Sequence, residues 1–281
     1  MKQAISYFRS HLQDVYPPEE VRAILYWLLE KLFHLTTVDV CMGKYRTLSA
    51  EERREWEKIT ERLQKGEPVQ YILGEADFCG RTFRLTRDTL IPRPETAELV
   101  RWILDDTCSR SGTFSVLDVG TGSGCIALSL AAELPGAAVE GWDISEGALL
   151  TARDNSRLLG IPVTFRRQDV LAPDVPDVRF DLIVSNPPYV TESERSGMER
   201  NVLEWEPAGA LFVPDDDPLR FYRAISRFAR RALVSGGTLY FEINRAYGAA
   251  VVRLLEGMGF TGVELRKDLS GNDRMIKAIS Q

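Results

Sequence analysis

The stretch Val116-Leu117-Asp118-Val119-Gly120-Thr121-Gly122-Ser123-Gly124-Cys125 decides how the rest of the chain is read. Phe114 to Val119 is an apolar run of strand length, and Cys125 to Leu134 continues as an apolar helix. Glycines at every second position between them let the backbone turn tightly and let a ligand approach without meeting a side chain. The spacing is not the Gly-x-Gly-x-x-Gly of dinucleotide sites, and no Gly-Lys-Ser/Thr follows, so a P-loop is not supported. An incidental glycine-rich turn is the competing explanation. A strand directly before and a helix directly after weigh against it.

Outward from this turn, toward the C-terminus, strands and helices alternate. Strands are predicted at Ala138–Ile144, Val163–Val170, Phe180–Ser185 and Thr238–Ile243, with helices at Ala148–Leu159, Leu219–Leu233 and Ala249–Met258. Repeated strand–helix units imply a doubly wound α/β fold, a parallel sheet covered by helices on both faces. Two final strands, Val263–Lys267 and Arg274–Ile279, have no helix between them, so one of them runs antiparallel. Toward the N-terminus, Pro17 and Pro18 open a stretch in which Val21, Ile24, Leu25, Leu28, Leu29, Leu32 and Phe33 recur at helical spacing. Ser49-Ala50-Glu51-Glu52 has the hydroxyl and the acids of a helix start, followed by Trp56, Ile59 and Leu63 on an apolar face. Tyr71–Gly74 and Phe78–Leu85 read as two short strands joined by a turn. The predicted organisation is a helical domain over 1–70, a linking hairpin over 71–90 and an α/β domain over 91–281. The helical domain is either a packing unit or a partner-binding surface.

Composition narrows the chemistry. The 281 residues are 44% hydrophobic and 27% charged, a globular balance, with a formal net charge of −6. An acidic chain has no general attraction to nucleic-acid backbones, and no direct nucleic-acid partner is expected. Cys41, Cys79, Cys108 and Cys125 form no Cys-x-x-Cys pair, so neither a metal knuckle nor a redox motif is indicated, and no metal is expected. Scattered thiols, an N-terminus without a long apolar core and cleavage site, and no apolar run near the ~20 residues that span a bilayer all fit a soluble cytoplasmic protein away from membranes. A monomer is expected. The two histidines, His11 and His34, lie far from the glycine turn, so a Ser-His-Asp or Cys-His site is not expected near it.

Three further segments carry chemistry. Asp143 ends the second strand of the α/β region, where in a doubly wound fold an acid accepts hydrogen bonds from ribose hydroxyls. Alone it reads more readily as a helix N-cap, but paired with the glycine turn, ribose binding is the better reading. Gln168-Asp169-Val170 ends the third strand, a position that borders a base, or is a surface turn. Ser185-Asn186-Pro187-Pro188-Tyr189 follows the buried strand Phe180–Ser185. Two prolines fix φ and remove two donors, leaving carbonyls on a rigid loop at the carboxyl end of a strand. The Asn186 side-chain oxygen and the Pro187 carbonyl can accept both N–H bonds of a planar NH2 group, and Tyr189 can stack on it. A tight Pro-Pro turn without a ligand is the alternative.

Resemblance adds to this reading. Asp118-x-Gly120-x-Gly122-x-Gly124 resembles the first motif of class I methyltransferases, which bind S-adenosylmethionine. Asn186-Pro187-Pro188-Tyr189 resembles the motif of amino-methyltransferases acting on adenine, cytosine or glutamine amides. Leu90-Ile91-Pro92-Arg93-Pro94-Glu95-Thr96, Glu206-Pro207 with Ala210-Leu211, and Lys267-Asp268-Leu269-Ser270-Gly271-Asn272-Asp273-Arg274 are similar to signatures of protein glutamine methyltransferases. With the N-terminal helices and the hairpin, the whole chain resembles the peptide chain release factor N5-glutamine methyltransferases of PrmC/HemK type. The resemblance implies a class I, Rossmann-like methyltransferase. Methyl transfer would go from S-adenosylmethionine, leaving S-adenosylhomocysteine, to the glutamine of the Gly-Gly-Gln motif of class 1 release factors. It implies cofactor contacts at Asp118, Gly120, Thr121, Gly122, Ser123, Gly124, Asp143, Asp169, Val170 and Asn186, and a catalytic and substrate-holding role for Asn186, Pro187, Pro188 and Tyr189. Arg93 either binds substrate or anchors its own loop. The family pattern has Glu at Ala97, Gly at Asn244, Gln at Tyr247 and a different run at Ala210–Pro214.

A ribosomal-protein glutamine methyltransferase shares the glycine and Asn-Pro-Pro-Tyr motifs. A DNA or RNA adenine methyltransferase also shares Asn-Pro-Pro-Tyr but must extract a base, and normally carries a basic recognition region that this chain lacks. A binding module without catalysis is opposed by the intact Asp118, Gly120, Gly122, Asp143 and Asn186.

Overall fold

The apolar runs Phe114–Val119 and Phe180–Ser185 become largely buried strands at the centre of a sheet. The computed structural model describes residues 1–108, 112, 114–172 and 177–281. The chain divides into two units, Met1–Leu73 and Gly74–Gln281.

The first unit is helical: α1 (Lys2–Leu12), α2 (Pro18–Phe33), α3 (Thr37–Cys41), α4 (Ala50–Gln64) and α5 (Val69–Leu73). Proline opens α2, where its missing N–H is not needed. Ser49 and Glu52 form a reciprocal capping box at the start of α4, as their spacing foretells. Phe8, Leu12, Leu25, Leu28, Leu29, Trp56 and Leu63 form its core, and the Trp56 indole donates to the Ala4 carbonyl at 2.9 Å. Burying each such side chain is worth about 1.5–3 kcal/mol.

The second unit opens with the hairpin β1 (Glu75–Phe78) and β2 (Arg81–Arg84). Here the structure corrects the sequence reading. Tyr71–Leu73 is helical, and the turn falls inside the segment read as one strand. Cys79 and Gly80 both take positive φ, 47° and 73°, the combination that a tight right-twisted hairpin turn demands. Then follow α6 (Pro94–Thr107), β3 (Phe114–Val119), α7 (Cys125–Glu133), β4 (Ala137–Asp143), α8 (Glu146–Leu159), β5 (Thr164–Arg167) and β6 (Phe180–Ser185). A small parallel pair, β7 (Val190–Thr191) and β8 (Phe212–Val213), flanks α9 (Arg200–Trp205). The chain closes with α10 (Arg220–Ala232), β9 (Leu233–Glu242), α11 (Gly248–Gly257), β10 (Thr261–Lys267) and β11 (Asp273–Ile279).

Seven strands form one sheet in the order β10-β11-β9-β6-β3-β4-β5. β9, β6, β3, β4 and β5 are parallel, and β11 is antiparallel to both β9 and β10, as the missing helix required. Alternate residues of each strand feed two separate cores. Leu117, Ile183, Phe241 and Ile276 meet α10 and α11, whereas Val116, Leu182, Tyr240 and Met275 meet α6, α7 and the hairpin. Among the described residues no helix is long and apolar enough to cross a membrane.

Register positions the site. Val119 pairs with Trp142 on one side and Ser185 on the other, and Ser185 pairs with Phe241. The residues that follow, Gly120, Asp143, Asn186 and Glu242, therefore line one carboxyl edge of the sheet. β3 leads away toward β4 and β5, and β6 leads the other way toward β9, so the edge between β3 and β6 is the switch point where doubly wound sheets bind ligands.

Candidate active site

The glycine side of this edge is held together by backbone groups. Gly120 and Thr121 both donate to the Trp142 carbonyl, at 2.8 and 2.9 Å, extending the β3–β4 pairing into the turn. Gly120, Gly122 and Gly124 have φ of 75°, 55° and 80°, a region closed to most residues, which explains why all three are glycine. Asp143 accepts from Gly122 N and from Ser145 N, each at 2.9 Å. Ser145, not Asp143, caps α8. The helix-cap alternative for Asp143 is thereby removed, and the acid is tied to the glycine turn. A Cβ on Gly141 would lie 2.7 Å from the Phe165 ring and 2.8 Å from the Thr121 hydroxyl, so this position also admits only glycine without a shift.

Asp118 is fully buried beneath the turn. Its Oδ2 accepts from Thr121 Oγ1 at 2.6 Å and from Ala127 N at 3.3 Å, while Oδ1 has no partner. Desolvation lifts its carboxyl to about 7, against the pull of those two donors. Burial also raises Asp143, opposed by its backbone donors. Ser123 Oγ is a second buried atom without a partner. Asn155, fully buried on α8, donates to the Ser123 carbonyl and exchanges two hydrogen bonds with the backbone of Arg84, linking the glycine turn to the hairpin. Gln168 N continues the pairing to the Asp143 carbonyl at 2.9 Å. Asp169 spends its carboxylate locally on Leu171 N, and Val170 packs against the α10–α11 core.

The other side is held by side chains from distant parts of the chain. Asn186 Nδ2 meets Thr96 Oγ1 at 3.3 Å, Thr96 donates to Glu242 Oε2 at 2.6 Å, and the Tyr189 hydroxyl donates to Glu242 Oε1 at 3.0 Å. Pro94 opens α6 and so sets Thr96 in its first turn, and Glu242 ends β9 beside Asn186. Asn244, at the family's glycine position, is buried and donates to the Tyr189 carbonyl at 3.1 Å and to Glu194 at 2.8 Å. Burial holds the Tyr189 phenol far above its usual range and raises Glu242, so Tyr189 is a donor and not a base at neutral pH. Pro187 and Pro188 are trans. A cleft beside Tyr189 is lined by Glu194, Met198, Asn244 and Arg274.

Arg93 pairs with the buried Glu206 at 2.5 Å, and Glu206 also accepts from Ile91 N. This contact joins two signature segments 113 residues apart and gives Arg93 an anchoring contact. Ala97 packs into the α6–α7 core and Tyr247 against the α10–α11 core. Among the described residues no cluster of His, Cys, Asp or Glu is arranged to hold a metal ion. Sequence reasoning passed over Thr96, Glu242 and Asn155 as site residues. For Glu242 a signal existed: it is an acid ending an apolar strand, the same argument that singled out Asp143.

The two sides face each other: a Cβ on Gly120 would lie 3.9 Å from the Asn186 carbonyl oxygen. A Rossmann-like sheet with a glycine turn after β3 and an acid ending β4 defines the methyltransferase class. Two family models match, the methyltransferase small domain over residues 100–204 and the PrmC N-terminal domain over residues 3–74. The release factor glutamine methyltransferase of Bacteroides thetaiotaomicron is 52% identical, covering 99% of each chain, and that of Flavobacterium psychrophilum is 44% identical, covering 96% of this chain and 95% of its own. The chain belongs to the release factor glutamine methyltransferase family. In fold it also resembles the T. thermophilus 16S rRNA N2 G1207 methyltransferase solved with AdoMet and guanosine. That match has a TM-score of 0.53 at 20% identity and covers 74% of this chain and 50% of that one.

Proposed function

We propose that this protein transfers a methyl group from S-adenosylmethionine to the side-chain nitrogen of the glutamine in the Gly-Gly-Gln motif of class 1 peptide chain release factors. Family membership over the whole chain supports the reaction, and the single observation that carries it is the meeting of the Gly120 turn with Asn186.

The residues present fit the cofactor. A cationic ligand suits an edge carrying Asp118 and Asp143, and the partnerless Asp118 Oδ1 and Ser123 Oγ are polar atoms awaiting a ligand or its water. A Cβ at Gly122 would meet nothing within 4 Å, which leaves room over the turn. Gly120, Thr121, Gly122, Ser123 and Gly124 would hold its amino-acid end, Asp143 its ribose, and Asp169 and Val170 its base. When bound, the cofactor supplies a methyl group on a sulfonium, with the bonding pair left on sulfur after transfer.

This chain's own residues then need only orient a neutral nitrogen. Asn186 Oδ1 and the Pro187 carbonyl accept the two amide hydrogens, which builds electron density on that nitrogen and fixes its lone pair toward the glycine turn. Pro188 keeps the loop rigid and Tyr189 walls the plane. As the N–C bond forms, the nitrogen becomes cationic and releases a proton to solvent, so no histidine is needed. The Met1–Leu73 unit, matched by the PrmC N-terminal domain, we assign to gripping the release factor.

The test is incubation of the pure protein with labelled S-adenosylmethionine and a release factor, beside a copy whose Gly-Gly-Gln glutamine is alanine. Label on the first alone is expected. Label on neither, with cofactor still bound, rejects the substrate and turns the search to ribosomal proteins and nucleic acid.

A further inference from the structure

We infer that Glu242, acting through Thr96, dictates which end of the Asn186 amide faces the substrate, and that Glu242 and Thr96 are positioning residues for the reaction proposed above. The inference rests on that reading and names the groups that make the amide clamp an acceptor.

The argument is one of proton order. An asparagine amide has an acceptor end and a donor end of nearly the same shape, so packing alone scarcely chooses between them. A clamp for an NH2 group needs the oxygen end outward. With the amide reversed, two donors would confront each other. Thr96 Oγ1 touches both Asn186 Nδ2, at 3.3 Å, and Glu242 Oε2, at 2.6 Å. A hydroxyl carries one proton. Both oxygens of Glu242 accept, Oε2 from Thr96 and Oε1 from the Tyr189 hydroxyl, so Thr96 spends its one proton on Glu242 and can only accept at its other contact. The NH2 end of Asn186 is thus drawn to Thr96, and Oδ1 is turned the other way. The second carboxylate oxygen does the same for Tyr189, accepting its hydroxyl at 3.0 Å. One buried carboxylate therefore orders both side chains of the Asn-Pro-Pro-Tyr loop.

The groups are placed for this. Thr96 and Glu242 are buried, so no bulk water competes as donor or acceptor. Burial raises the Glu242 carboxyl, against the Thr96 and Tyr189 hydroxyls and Arg274, which favour its charged form, while Glu95 opposes it. Arg274 is itself held by Asp268 at 3.1 Å and reaches the Ile243 carbonyl next to Glu242. The segment Lys267–Arg274, distant in sequence, thus supports the same carboxylate.

The experiment uses the full chain with labelled S-adenosylmethionine and a release factor, and reads kcat, KM and cofactor Kd separately. Glu242→Gln offers an acceptor to one hydroxyl and a donor to the other. We expect kcat to fall roughly 100-fold, the penalty of a misplaced reacting group, with cofactor Kd within about twofold. Thr96→Val, which keeps the shape and loses the acceptor, should fall comparably. Thr96→Ser should recover kcat to within a few-fold. The Asn186 side-chain NH2 resonances should show slow exchange in the wild type and Thr96→Ser, and lose it in Thr96→Val. The inference is overturned by a Thr96→Val enzyme with normal kcat, by a Thr96→Ser enzyme as slow as Thr96→Val, or by amide resonances indifferent to both. A wild type that labels no release factor would break the functional reading alone, since the resonances still report the amide's orientation.

Discussion

The two sides of the sheet edge are built by opposite means. The glycine side is local. Gly120, Thr121, Gly122, Asp118 and Asp143 lie within 26 residues and are joined mostly by backbone N–H groups to carbonyls and carboxylates. The Asn186 side is assembled at long range. Thr96 is 90 residues from Asn186 and Glu242 is 146 residues from Thr96, and the bonds are between side chains. Backbone contacts present a fixed surface to a cofactor whose shape does not vary. Side-chain contacts set the polarity of one amide, which the backbone cannot do.

The largest effect that would break this comparison is at Asn186. Asn186→Ala should lower kcat by about 10²–10³-fold, as removal of an oriented polar partner of the reacting group does, while the thermal unfolding midpoint stays near that of the wild type. Single-turnover rates at saturating cofactor measure it, and a near-normal rate would mean the clamp lies elsewhere. Asp143→Ala should act on the other side only. Loss of hydrogen bonds to a charged acceptor, worth about 1.5–3 kcal/mol, should raise the cofactor Kd roughly tenfold to a hundredfold and leave the rate at saturation less affected. Calorimetry would show it, and an unchanged Kd would remove Asp143 from the cofactor's contacts.

An effect on stability alone sharpens the comparison by pH. Asp118 has a carboxyl raised from 3.8 to about 7 in the folded chain, so the folded state binds that proton more tightly than the unfolded state. Its contribution to stability is full below about 4 and is lost as pH rises to about 7, with a slope of at most about 1.4 kcal/mol per pH unit. Denaturant titrations of the protein without cofactor should therefore show a decline over this window, and Asp118→Asn should flatten it. A wild-type profile as flat as the variant's would place the carboxyl pKa near its ordinary value.

Much of the fold was legible because burial follows periodicity. Short apolar runs such as Phe180–Ser185, bounded by turn residues, form buried strands, and the helix-free link before Arg274–Ile279 required an antiparallel pair. The hairpin was misplaced because its turn rests on a positive φ at Cys79, a residue that does not advertise one. Arg93 stayed open because its partner, Glu206, comes 113 residues later.

The sequence by itself determined the sheet, the glycine turn, the acid at Asp143 and the rigid Asn-Pro-Pro-Tyr loop. The strands, the turn, the acid and the loop each depend on residues near one another in the chain, where backbone preferences and hydrophobic spacing act directly, and the alternation of strands and helices then implies a parallel sheet. Only the tertiary structure decided how that loop is oriented, because the carboxylate of Glu242 and the hydroxyl of Thr96 reach Asn186 through the register of β9 on β6 and the start of α6. A proton's direction along such a chain depends on which groups meet in space, and no spacing along the sequence encodes that meeting.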